Sequence, residues 1–330
     1  MIITRTPYRI SFFGGGTDYP AWYEKNGGAV LSTTINKYSY LTCRHLPPFF
    51  KHKHRIVYSQ TENVSDIEDI NHPSVRETLK FFKIDKGLEI HHDGDLPAMS
   101  GLGSSSSFTV GLVTALNALR GQLKTKREVA LNAIHIEQNL IKENVGSQDQ
   151  TAASFGGFNL IQFGGPRIIT VDPVVLSRER IEELESHLML FSTGLFRKAS
   201  KIAASQIKTI PKKTEELHAM RAMVDEGISI LRSKNSIENF GKLLHESWKL
   251  KRGLTSKISN TAIDDIYETG RKAGVIGGKL IGAGGGGFML LFARPENQER
   301  IKIKLKNLLY VPFCFEYLGS QVIYHTGHDE

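Results

Sequence analysis

The stretch Asp95-Leu96-Pro97-Ala98-Met99-Ser100-Gly101-Leu102-Gly103-Ser104-Ser105-Ser106-Ser107 constrains this chain more than any other. It falls between a strand pattern at 87–92 and an apolar helix pattern from about 108 to 119. Glycines allow positive φ and let a ligand approach the backbone closely. The first turn of a helix leaves N–H groups without intrahelical partners, and the helix dipole attracts negative charge there. Such a junction is an anion site. The serines add hydroxyls for phosphate oxygens or for a metal ion. No Lys follows the glycines, so the loop is not a Walker A motif, and no acid stands where a dinucleotide fingerprint needs one. A serine N-cap after a permissive turn is the plain structural alternative.

A helix pattern over about 126–143 puts Ala130, Ala133, Ile134, Leu140 and Ile141 on one face, and Glu137 falls on the same stripe. A carboxylate turned toward a core is costly unless it is paired or bound to metal. A buried ion pair and a metal ligand both satisfy that demand. Glu143 is off the stripe and is expected in solvent. The polar turn Gly146-Ser147-Gln148-Asp149-Gln150 follows. Asp149 there is a candidate base, or an N-cap for the next segment.

Two more glycine runs frame the chain. Arg9 lies inside the apolar strand pattern 1–13, and Arg is seldom buried without a partner. Gly14-Gly15-Gly16 then turns the chain sharply and presents Thr17 and Asp18. Near the other end, the run Gly277 to Phe288 includes Gly282, Gly284, Gly285 and Gly286. So many glycines lose much conformational entropy on folding, which points to a close approach of this backbone to something.

At 330 residues, two domains are expected. Strand patterns at 27–43, 157–163, 167–171, 187–193, 287–293 and 315–324 do not alternate strictly with helices, which indicates α+β. A charged segment at 173–185 sets the expected boundary: domains at 1–180 and 181–330. Cys43 and Cys314 form no CxxC pair, which excludes a disulfide framework and a Cys-based zinc site and fits a reducing compartment. No stretch is apolar enough to span a bilayer, and the first residues read directly into a strand. A cytoplasmic location and no membrane partner are therefore expected. The net charge of +8 suits either nucleic acid or a ligand with several phosphates. The basic segment 44–55, with Phe49 and Phe50, is the best support for nucleic acid. A basic connection is usually a solvated loop, and no RNA-binding signature accompanies it, so no nucleic-acid partner is expected. His45, His52 and His54 are expected at the surface.

Taken in order, Arg5-Thr6-Pro7-x-Arg9-Ile10-Ser11-Phe12-x-Gly14-Gly15-Gly16-Thr17-Asp18, Pro97-x3-Gly101-Leu102-Gly103-Ser104-Ser105 and Gly282-Ala283-Gly284-Gly285-Gly286-Gly287-Phe288-Met289 resemble the three motifs of the GHMP small-molecule kinases. The resemblance spans essentially the whole chain. It implies a two-domain fold, with an N-terminal domain like domain 2 of ribosomal protein S5 and a ferredoxin-like C-terminal domain. It implies ATP and Mg²⁺ as cofactors. Pro97, Ser100, Gly101, Leu102, Gly103, Ser104, Ser105 and Ser106 would wrap the triphosphate. Ser105 and Glu137 would hold Mg²⁺. Asp149 would face the sugar hydroxyl, with Arg9 beside it as second catalytic residue. Gly15, Gly16, Thr17 and Asp18 would bind the sugar, and Gly282, Gly284, Gly285 and Gly286 would brace the phosphate loop.

The motifs are most similar to the branch acting on heptose phosphates, with fucokinase-type enzymes next. The resemblance therefore implies a small-molecule sugar phosphate as partner: a heptose 7-phosphate phosphorylated at its anomeric hydroxyl, toward GDP-heptose for surface polysaccharide. Galactokinases carry Glu-His where this chain has Gly15 and Gly16. Losing that acid opens space and removes negative charge, which suits a longer, phosphorylated sugar. The substrate's own phosphate needs a cation, and Arg197, at a helix start, is favoured over Arg44 and Arg55. Other sugar 1-kinases and a non-catalytic sugar sensor are the alternatives, and a homodimer is left open.

Overall fold

The computed structural model describes residues 1–164, 168–195 and 199–326. Among these, two sheets form the frame. The first has nine strands, six of them along the path Gln321–His325, Ile2–Phe13, Gly28–His45, Leu88–Gly94, His54–Val57, Thr61–Val64. Phe158–Gly164 and Phe315–Glu316 also pair with Gly28–His45, and Ile168–Pro173 pairs with Phe158–Gly164. His54–Val57 runs parallel to Leu88–Gly94, and the other pairings described here are antiparallel. The 18-residue strand Gly28–His45 can hold so many partners because of its length. Its Val30, Leu31, Ile35, Leu41 and Cys43 are buried.

The second sheet orders Leu309–Tyr310, Leu188–Ser192, Phe288–Ala293 and Val275–Leu280. Phe288–Ala293 is buried at every position, as a strand covered on both faces must be. The helices Thr214–Arg232 and Glu238–Leu254 pack between the sheets. Phe240 meets Phe12 and Phe13 of the first sheet and Phe292 of the second, at ring-centre distances of 5.4, 5.0 and 6.3 Å. One apolar cluster therefore joins both sheets.

The α+β expectation holds, with local differences. Phe315–Glu316 and Gln321–His325, expected within 181–330, return to the first sheet, where the latter covers the edge of Ile2–Phe13. Val275–Leu280 is a strand inside what reads as a glycine-rich turn. The basic connection leads into two short strands, and His54 is buried with its Nδ1 accepting the Leu88 N–H at 3.4 Å. The helix after the phosphate-type loop begins at Ser104, four residues earlier than its apolar pattern, because Gly103 at φ 79° starts it. The helix pattern 126–143 stops at His135 and opens into a π-helical turn, Ile136–Leu140.

Candidate active site

A cleft of about 410 Å³ brings together residues from all three glycine motifs. Its first wall is the start of the helix Ser104–Leu119. The first i→i−4 bond of that helix runs from Ser107 N–H to Gly103 O, so the amides of Ser104, Ser105 and Ser106 precede the helical ladder. Gly101, Gly103 and these three serines line the cleft. The loop is tied to the first strand by Arg9, whose backbone N–H donates to Leu102 O at 2.9 Å and whose Nη1 donates to Gly101 O at 2.7 Å.

Arg9 does find the partner its burial requires. Its Nε and Nη2 donate to Oδ1 and Oδ2 of Asp149, both at 2.8 Å. Such a fork-to-carboxylate pair fixes both groups in one plane. Asp149 stands in the first turn of Gln148–Phe155; Ser147 holds the N-cap position, without a side-chain cap bond, so Asp149 is not the N-cap. Each carboxylate oxygen has two lone pairs, and one on each remains for another donor.

Asp18 lies on the far side of this pair, 3% exposed, with Oδ1 accepting the Gly16 N–H at 2.8 Å. Burial pushes its carboxyl up to about 6, against the hydrogen bond from Gly16. Gly146 allows this placement: a Cβ there would sit 1.8 Å from Asp18 Oδ2. Gly15 and Gly16 line the cleft beside it. Thr17 does not; its hydroxyl donates to Gly14 O and Ala29 O and holds the turn.

The π-helical turn explains Glu137. The wider turn closes through Ile141 N–H to Ile136 O, a geometry frequent at functional sites. Glu137 is fully buried yet lines the cleft. Its Oε2 accepts Ser106 Oγ at 2.9 Å and Gln150 Nε2 at 2.5 Å, while Oε1 has no hydrogen-bond partner among the described residues. Burial raises its carboxyl to about 7. The hydroxyl on Glu137 is thus that of Ser106; Ser105, expected beside it, is exposed at the cleft mouth. Glu143 is half-buried rather than free in solvent: after Lys142 at φ 60° it lines the cleft, where burial raises its carboxyl. An orphaned buried carboxylate oxygen beside serine hydroxyls fits Mg²⁺, which takes one or two carboxylates and completes its shell with phosphates and water.

The C-terminal glycine run meets the phosphate-type loop backbone to backbone. A Cβ on Gly101 would lie 2.4 Å from Ile281 O, and one on Gly282 2.6 Å from Gly101 Cα. Both residues also have φ near +80°. Gly284 and Gly286 instead pack on Ile258 and Leu195, and Gly285 donates its N–H to Ile258 O. Pro97 is exposed, Ser100 and Leu102 are buried under the loop, and none of the three lines the cleft. Arg197 lies outside the described residues. Arg44 and Arg55 pair with Glu89, away from the cleft.

Two cationic cleft residues escaped the sequence reading: Lys251 and Lys279, 5% and 2% exposed. Lys251 sits on the buried stripe Leu244, Ser247, Trp248, Leu254, so the argument applied to Glu137 would have found it. Lys279 was hidden by the unrecognised strand.

Comparison with known proteins finds one kinase family in both halves of the chain. The model of the GHMP kinase N-terminal domain matches residues 73–157, and that of the C-terminal domain matches 228–311. The D-glycero-alpha-D-manno-heptose 7-phosphate kinase of Campylobacter jejuni is 29% identical over 91% of each chain. The bifunctional fucokinase/GDP-fucose pyrophosphorylase of Arabidopsis thaliana is 26% identical over 89% of this chain, which spans 30% of that longer protein. A crystal structure of a D-glycero-D-manno-heptose 1-phosphate kinase from Bacteroides thetaiotaomicron superimposes with a TM-score of 0.80 at 24% identity, covering 98% of this chain and 100% of that one. With both domain models matched in order and all three glycine motifs gathered in one cleft, the chain belongs to the GHMP kinases, ATP-dependent phosphotransferases of two-domain α+β fold.

Proposed function

We propose that this enzyme transfers the γ-phosphoryl group of ATP to the anomeric hydroxyl of D-glycero-D-manno-heptose 7-phosphate, giving the 1,7-bisphosphate and ADP. The observation that carries a sugar 1-kinase reading is the Arg9–Asp149 pair, held at 2.8 Å in the cleft that receives the open helix start. The similarity to a heptose 7-phosphate kinase over most of the chain supports the choice of sugar. So do Gly15 and Gly16, which leave that wall without side chains.

Phosphoryl transfer depends on positioning and charge neutralisation more than on covalent chemistry. The amides of Ser104 to Ser106 bind the triphosphate. Glu137, Ser106 and Ser105 would hold Mg²⁺, which when bound neutralises charge on the β- and γ-phosphates. Asp18 accepts hydrogen bonds from sugar hydroxyls and orients the ring. Asp149 takes the proton of the anomeric hydroxyl as its oxygen bonds to the γ-phosphorus; the bond to the bridging oxygen breaks and ADP leaves. Arg9 keeps Asp149 aimed and offsets its charge. Gly282 keeps the phosphate loop seated. The product's anomeric phosphate suits later nucleotidyl transfer toward GDP-heptose in the cytoplasm.

The test is ADP release in the presence of heptose 7-phosphate, free heptose, fucose, galactose and mannose, with ³¹P NMR of the product. Heptose 7-phosphate is expected to give the highest kcat/KM and an anomeric phosphate signal. Preference for fucose or galactose overturns the heptose reading, and no sugar-dependent ADP release overturns the sugar-kinase reading.

A further inference from the structure

We propose that Lys251 and Lys279 form a cationic clamp on the transferring γ-phosphoryl group, opposite the helix start of Ser104. The inference rests on the phosphotransferase reading but not on the identity of the sugar.

The two lysines come from different elements, the helix Glu238–Leu254 and the strand Val275–Leu280, and both line the cleft. Lys279 Nζ donates to Phe12 O at 2.8 Å. Lys251 Nζ donates to Leu280 O at 3.2 Å and to Gly282 O at 2.5 Å. An ammonium has three N–H donors, so these carbonyls leave donors on each lysine. No carboxylate is in ion-pair contact with either among the described residues. A buried ammonium held only by neutral carbonyls is costly, and an anionic ligand is the natural relief.

Position selects the anion. Gly282, whose carbonyl Lys251 holds, abuts Gly101, whose carbonyl Arg9 holds. Lys251 is therefore one glycine contact away from the Arg9–Asp149 pair and the phosphate loop. Phe12, which anchors Lys279, follows Arg9 by three positions on the same strand. Arg9, Lys251 and Lys279 lie within electrostatic reach of one another and of Asp18, which gathers three cationic side chains where the γ-phosphate would sit. Burial and the neighbouring cations bring Lys251 down to about 8, against the pull of Asp18 and Asp149, and lower Lys279 further, against the pull of Asp18. A bound phosphoryl group stabilises the charged form of both.

The test measures affinity of the full chain for ADP and for the β,γ-imido analogue of ATP, at fixed Mg²⁺, with kcat and acceptor KM alongside. Wild type is expected to prefer the triphosphate analogue by at least tenfold at pH 7. Lys251→Met and Lys279→Met should each lose at least fivefold of that preference while ADP affinity stays within twofold. Lys251→Arg, which keeps the charge at that position, should retain the preference at pH 7 and lose less of it than wild type does at pH 9.5, where Lys279 is neutral in both. A preference unchanged in both Met variants overturns the clamp. Equal loss for both nucleotides, with a lower Tm, makes the lysines struts for the Gly282 loop and also overturns it. A rise in acceptor KM alone assigns them to the substrate. The binding readout needs no acceptor, so a failed heptose assay with the expected nucleotide pattern removes the sugar reading and leaves the clamp.

Discussion

Arg9 and Asp149, 140 positions apart, close a two-bond ion pair with the guanidinium 2% and the carboxylate 17% exposed. The strand that carries Arg9 also anchors the phosphate-type loop through Leu102 O and Gly101 O. The proposed base and the proposed triphosphate site are thus fixed to one another through a single side chain. Asp149→Asn should keep nucleotide affinity and lower kcat by about 10²–10⁴-fold, the usual weight of a positioned base. Steady-state kinetics with calorimetric ADP binding checks it, and a kcat within threefold of wild type removes Asp149 from proton transfer.

As the proposed Mg²⁺ ligand, Glu137 would make Mg²⁺ affinity depend on pH. Its carboxyl titrates near 7, raised by burial, and a metal ligand must be ionised. As pH falls from 8 to 6 the proton competes with the ion, so the Mg²⁺ concentration for half-maximal activity should rise by about tenfold per unit below 7. Glu137→Gln should raise that concentration at every pH and flatten the profile. A wild-type requirement independent of pH across this range would show that Glu137 does not bind the metal.

Asp18 costs stability in its ionised form. Its folded carboxyl titrates near 6, above the ordinary 3.8, so the folded state binds the proton more tightly than the unfolded state does. Its contribution is greatest below pH 3.8 and is lost as pH rises through 6. Asp18→Asn should therefore raise stability at pH 7.5 by about 2–3 kcal/mol, with the gain vanishing near pH 4, from the size of the shift. Acceptor KM should rise at least tenfold in the same variant. Urea unfolding at the two pH values and acceptor kinetics decide both halves.

The backbone contact between Gly101 and Gly282 can be separated from backbone strain. Gly121 has φ +66° but nothing within 4 Å of an added Cβ, whereas Gly282 has φ +80° and Gly101 atoms at 2.6 Å. Gly121→Ala should cost only the left-handed penalty, about 1–2 kcal/mol. Gly282→Ala should cost more and should raise KM for ATP, because the phosphate loop must move. Equal unfolding costs and an unchanged ATP constant for both variants would mean that the two loops do not support one another.

Gly146→Ala tests the neighbouring contact in the same way. A methyl at that position collides with Asp18 Oδ2. Acceptor KM should rise at least tenfold with ATP KM nearly unchanged, and parallel changes in both constants would show a general loosening instead.

What the sequence determined by itself was chemistry carried by contiguous residues. The glycine–serine loop announces an anion site because close backbone approach and a helix start are both local properties. Arg9 in an apolar strand and Glu137 on an apolar stripe were legible as buried charges needing partners, because period and polarity conflict at those positions. The tertiary structure alone decided which partners they found. Ser106 rather than Ser105 reaches Glu137, because the helix begins at Ser104 and the π-helical turn widens the approach. Glu143 turns inward on a single positive φ at Lys142. The return of Gln321–His325 to the first strand depends on an open sheet edge that no local pattern reveals. Lys251 and Lys279 enter the same cleft from two elements that meet only after the second sheet packs against the first, a juxtaposition set by long-range packing, which residue spacing does not encode.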